Sequence, residues 1–188
     1  MNFRVEIRIA GYVAASLILE RDPAQWHALV MLDSDVQETD FVPTHTRSHL
    51  FVRFDDIEEP RERKHLPSKS LLRDALQFAH GKDKLLVSCR AGRGRSAAVA
   101  YTIACQQLGV DEAVKLLDPT RHRPNQLVVR LGSELLEDST PLAEFERWRR
   151  DNANVRRSDF YDDMEREFDS LEAQGATNKI CVATKRRL

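Results

Sequence analysis

Cysteine, arginine and serine crowd into one stretch of this sequence. Residues 87–96 read VSCRAGRGRS, in which Cys89 is followed by Arg90, Arg93 and Arg95 and then by Ser96. Positive surroundings lower a cysteine thiol from about 8.5 into a range of about 3.5–7.5, so that it reacts as a thiolate near neutrality. Arg95, six residues beyond Cys89, can fold back and grip two oxygens of an anion at once, a geometry that lysine cannot match. Ser96 can donate its hydroxyl to the sulfur. Gly92 and Gly94 tolerate backbone angles that other residues resist, so Arg90, Ala91, Gly92, Arg93, Gly94 and Arg95 can curl with their amides inward. Such a ring suits a tetrahedral dianion such as phosphate, with Cys89 as the nucleophile that attacks it.

Expelling an alkoxide or phenoxide from phosphorus also needs a proton donor. The stretch FVRFDDIEEP supplies Asp55 and Asp56 where a strand runs out into a loop. Neighbours in an extended chain point to opposite faces, so one of the two reaches the leaving group while the other orients the loop. The residues alone leave open which does which. With Glu58 and Glu59 close behind, a solvated acidic turn fits as well.

These groups must be carried by a scaffold, and the patterning supplies one. Residues 3–9, 27–32, 49–54 and 84–88 are short apolar runs that read as strands, the last nearly continuous as in a buried central strand. Helical patterns cover residues 12–20, 68–80, 96–108, 111–117 (with Asp111 as its cap), 124–136 and 140–150 (with Thr140 as its cap). Strands alternating with helices predict a three-layer α/β/α sandwich: a small, mostly parallel sheet of four or five strands with helices on both sides. CRAGRGR then joins a strand to a helix, where amides and the helix dipole converge on one point. Residues 1–150 read as the catalytic domain. Residues 151–188 read as a helical extension, amphipathic over 159–174, followed by a tail.

The chain has 188 residues, 41% hydrophobic and 31% charged, with a formal net charge of −1. That near-neutral balance gives no general pull toward nucleic acid, and no apolar run predicts integral membrane association. The N-terminus lacks the uninterrupted apolar segment of a signal peptide. Cys89, Cys105 and Cys181 are odd in number and widely spaced, which fits free thiols in a cytoplasmic setting rather than disulfides or a zinc site. The histidines show no ligand spacing, so neither a metal nor another cofactor is expected. Cys105, Trp26 and Trp148 read as core residues. The TRHRP stretch fits a pocket wall carrying Arg121 and Arg123 as well as it fits a solvated loop.

C-x5-R-S after a strand resembles the signature loop of the cysteine-dependent protein tyrosine and dual-specificity phosphatases, with Cys89, Gly92, Arg95 and Ser96 on its fixed positions. The resemblance takes in HLFVRFDDI upstream and RPNQLVVRLGSELL downstream, roughly residues 25–140. It implies metal-independent hydrolysis of phosphate monoesters through a phosphocysteine intermediate, and its spacing favours Asp56 as the general acid. Ser88 departs from the pattern, since the family usually has a loop-organising histidine there. The substrate class implied first is phosphotyrosine in proteins, with phosphoserine and phosphothreonine also admitted because the chain shows no segment that deepens the pocket. CRAGRGR also looks like the CKAGKGR loop of tensin-type phosphatases, whose basic variable positions imply phosphoinositides or inositol polyphosphates as the alternative. Two other classes compete. Rhodanese-type sulfurtransferases look like CRxGxRS, one residue shorter than CRAGRGRS, and Ser88 admits an inactive phosphate-binding module.

Overall fold

The structure is a computed structural model that describes residues 5–36 and 45–159, together with Asp162, Arg166 and Ala173. Its elements run β1 (Glu6–Gly11), α1 (Tyr12–Arg21), β2 (His27–Leu32), β3 (Ser48–Arg53), α2 (Lys69–Ala79), β4 (Lys84–Cys89), α3 (Arg95–Leu108), α4 (Val110–Lys115), α5 (Gln126–Leu135) and α6 (Thr140–Asp151). The four strands form one all-parallel sheet in the order β1-β4-β2-β3. This is the expected α/β sandwich.

Side chains alternate across a strand, and both faces of this sheet are covered. Leu85 and Val87 of β4, with Leu29 and Met31 of β2, face a core built with α2 to α6. Leu86 of β4 packs on the other face against α1 and Trp26, while Ala28 and Val30 pack there against Tyr12 and Val36. Burial on both sides explains why β2 and β4 read as almost unbroken apolar runs. The central helix is α3, in which every residue from Arg95 to Cys105 is buried. Tyr101 on α3 donates to the Pro141 carbonyl at 2.7 Å and so ties α6 to it. Burial pushes the Cys105 thiol up to about 11, as befits an inert core cysteine.

Several boundaries differ from the sequence reading, each for a local reason. The first strand runs to Gly11 because its register continues alongside β4 as far as Cys89. The short helix α4 takes Gly109 as its cap, and Asp111 lies inside its first turn. Helix α5 begins at Gln126 because the Asn125 side chain caps it, accepting from Val128 N at 3.1 Å. Helix α6 is preceded by Ser139, and Thr140 is its first residue, with its amide bonded to the Asp138 carboxylate at 2.8 Å. The amphipathic helix expected over 159–174 falls outside the described residues apart from three helical positions, Asp162, Arg166 and Ala173. No helix among the described residues is long and apolar enough to cross a membrane.

Candidate active site

Strand β4 delivers Cys89 to the carboxyl edge of the sheet, where it is 2% exposed, and the chain curls through residues 90–94 before entering α3. The curl is held tightly against the end of β1. Gly92 has φ +68°, and a Cβ there would meet the Gly11 nitrogen at 2.5 Å and the Ala10 carbonyl carbon at 2.6 Å. Only glycine satisfies both the backbone angle and the space. Gly11 answers in kind, since a Cβ on it would lie 3.3 Å from the Arg90 carbonyl oxygen. The amides of Ala91, Gly92 and Gly94 donate to no acceptor among the described residues. That leaves backbone donors for a ligand at the start of a fourteen-residue helix.

At the base of the loop the Cys89 sulfur lies 3.1 Å from the Ser96 hydroxyl. Arg95 is the first residue of α3 and is 4% exposed. Its Nη1 donates to the Phe54 carbonyl at 2.8 Å, and its Nη2 lies 2.5 Å from an Asp33 carboxylate oxygen. Its Nε is buried with no partner. Burial works against the charge of this guanidinium, but Cys89, Asp33, Tyr12 and Asp56 outweigh it and push the group above its ordinary value. A fixed cation with one orphaned N–H therefore lies beside the sulfur.

The two adjacent carboxylates have unlike surroundings. Asp55 is 3% exposed and accepts from the Ser34 hydroxyl at 2.6 Å, the His65 amide at 2.8 Å and Lys64 Nζ at 3.0 Å. Burial alone would raise its pKa, but these donors prevail and hold it at about 2. Asp55 is thus a permanently ionised anchor for its loop. Asp56 is exposed and accepts from Asn125 Nδ2 at 2.9 Å. Its carboxylate lies directly against the turn that follows Cys89, for a Cβ on Gly94 would meet Asp56 Oδ2 at 2.1 Å. The acidic loop is clamped to the head of α5 a second time, by Glu58 accepting from Gln126 N at 2.7 Å.

The rim is built from residues distant in sequence. Arg90 is exposed. Arg93, expected to bind phosphate, turns its side chain to residue 158, donating to the Ser158 carbonyl at 2.7 Å and its hydroxyl at 3.2 Å. Its own carbonyl accepts from Arg123 N at 2.9 Å. Ser88 is 1% exposed and pairs with Ala10 and Val30, on the α1 side of the sheet. Beside Asp56 opens a cleft of about 680 Å³ whose walls include Asn125, Arg123 and Trp148. Sequence reasoning missed Asp33, Asn125 and Ser158. The first had a visible signal, an acid at the carboxyl end of an apolar strand, which is where sites form in parallel sheets.

No protein-family model matches the chain, and no curated protein matches it in sequence. Among solved structures it is similar to the Yvh1 phosphatase domain from Chaetomium thermophilum, with a TM-score of 0.49 and 18% identity over 74% of this chain and 97% of that one. It is also similar to Tk-PTP in its active form, with a TM-score of 0.46 and 23% identity over 71% and 92% of the two chains. PTPMT1 in complex with PI(5)P gives a TM-score of 0.44 and 14% identity over 72% and 94%.

Proposed function

We propose that this protein is a metal-independent, cysteine-dependent phosphatase acting on phosphate monoesters, with phosphoprotein as the first substrate class. The observation that carries the reading is the convergence of the Cys89 sulfur, the Ser96 hydroxyl and the buried Arg95 guanidinium at the foot of a turn against which Asp56 rests.

In the first step the Cys89 thiolate attacks phosphorus in line, and the bond from phosphorus to the leaving oxygen breaks. The loop amides and the free edge of Arg95 hold the three equatorial oxygens. Asp56 gives its proton to the departing oxygen. In the second step the ionised Asp56 takes a proton from water, water oxygen attacks phosphorus, and the sulfur leaves as a thiolate stabilised by the Ser96 hydroxyl. Phosphate is released and Asp56 is again protonated. Guanidinium and amides supply the positive field, so the scheme uses no metal.

Hydrolysis of p-nitrophenyl phosphate in the presence of a chelator tests this reading. Wild type should turn over and Cys89→Ser should not. Turnover that survives in Cys89→Ser would overturn it, as would sulfur transfer from thiosulfate to cyanide without phosphate hydrolysis.

A further inference from the structure

The cleft beside Asp56 carries more positive charge than the phosphoryl-transfer scheme uses. Four arginines line it, Arg61, Arg123, Arg149 and Arg157. Arg149 is occupied, donating to Gln126 Oε1 and lying over the Phe145 ring. The other three are exposed, and their side chains have no hydrogen-bond or ion-pair partner among the described residues. They come from three places: the loop after β3, the turn before α5 and the segment after α6. Arg157 is brought there by its neighbour, since Ser158 N and Oγ both donate to the Thr120 carbonyl at 2.9 Å. Like charges gathered on one surface repel one another, and an anion placed among them relieves that repulsion.

Resting on the phosphatase reading, we propose that this cleft is a subsite for a second anionic side chain of a peptide substrate, a carboxylate or a phosphate close in sequence to the reacting phosphoresidue, held by Arg61, Arg123 and Arg157. Asp56 lines the cleft and its carboxylate rests against Gly94 of the turn, so the two sites are contiguous. The other charges in the cleft decide the ligand class. Asp56, Glu58 and Glu59 line the same walls. A ligand dense in phosphates, such as an inositol polyphosphate, meets their repulsion along with the arginines' attraction. A peptide with one extra anionic group matches this balance, and the half-buried Trp148 offers its flank apolar surface.

The test compares phosphotyrosine peptides that differ only at flanking positions, carrying alanine, glutamate or phosphoserine. Wild type should show kcat/KM about fivefold to tenfold higher for the anionic flanks, as several partly exposed Arg–anion pairs would give. In the combined variant Arg61→Ala, Arg123→Ala, Arg157→Ala the ratio should fall to near one. Arg123→Glu should favour a lysine flank instead. Because a ratio is read, loss of folded protein does not imitate the result. Should a variant be inactive, the same peptides are ranked by fluorescence anisotropy on the Cys89→Ser background. Equal handling of all flanks by wild type sinks the subsite, even where Cys89-dependent hydrolysis of p-nitrophenyl phosphate stands. Faster, arginine-dependent hydrolysis of a soluble inositol polyphosphate would overturn the peptide assignment. Absence of any hydrolysis would sink the phosphatase reading, and the binding ratio would still decide the cleft.

Discussion

Replacing Asp55 by asparagine should cost stability that varies with pH, whereas replacing Asp56 should cost turnover and almost no stability. Asp55 accepts three hydrogen bonds in a nearly closed site, and its pKa stands at about 2 against an ordinary 3.8. Each pKa unit corresponds to about 1.4 kcal/mol, so the ionised Asp55 contributes about 2 kcal/mol to the folded state. The folded pKa is the lower one, so this contribution is complete above pH 4 and is lost as pH falls through the folded value near 2. For a chain of this size about 2 kcal/mol is a melting shift of about 4–8 °C. Thermal unfolding at pH 7, 4 and 3 checks the magnitude and the sign: the gap between wild type and Asp55→Asn should be widest at pH 7 and narrow below pH 4. Asp56 is exposed and bonds only to Asn125 among the contacts described, so Asp56→Asn should change stability by less than about 0.5 kcal/mol. Its effect belongs to catalysis. Phenyl phosphate, whose leaving phenol has a tyrosine-like pKa of about 10, should lose about 100-fold or more in rate. The better leaving group of p-nitrophenyl phosphate should lose much less. A pH-independent melting gap for Asp55→Asn would refute the reasoning. So would normal phenyl phosphate turnover by Asp56→Asn alongside a dead but folded Asp55→Asn.

Three further outcomes follow from the packing of the turn. Gly92→Ala forces a Cβ onto the β1 backbone at a positive φ, and should lower stability by more than about 2 kcal/mol in urea unfolding. For Gly94→Ala the nearest obstacle is the exposed carboxylate of Asp56, which can swing away. The variant should therefore keep its melting temperature and lose phenyl phosphate turnover in the manner of Asp56→Asn. Asp33→Asn strips the buried Arg95 of its charged partner and should cost about 3 kcal/mol in phosphate-free buffer. Added inorganic phosphate, as a replacement counter-ion, should then raise the melting temperature of Asp33→Asn more than that of wild type.

The strand, turn and helix over residues 84–108 were legible in the sequence because the geometry is local. A strand, a glycine-bearing turn and a helix follow one another directly, so Cys89, Arg95 and Ser96 come together within seven residues of chain. Apolar runs placed the four strands and the principal helices for the same reason, whereas the caps read at Asp111 and Thr140 proved to lie inside their helices. What the sequence could not decide depends on contacts between distant segments. Asp55 and Asp56 are chemically identical neighbours, and only the meeting of Asp55 with Ser34, Lys64 and His65, and of Asp56 with Gly94 and Asn125, separates an anchor from a carboxylate at the turn after Cys89. Asp33 reaches Arg95 only because β2 lies beside β4 in the sheet. Arg93 reads as a phosphate ligand by its place in the loop, yet its guanidinium is turned aside by a serine sixty-five residues away. Backbone geometry acts over a few residues and can be read from residue type, but the direction a charged side chain takes is set by whichever partner folding brings within reach.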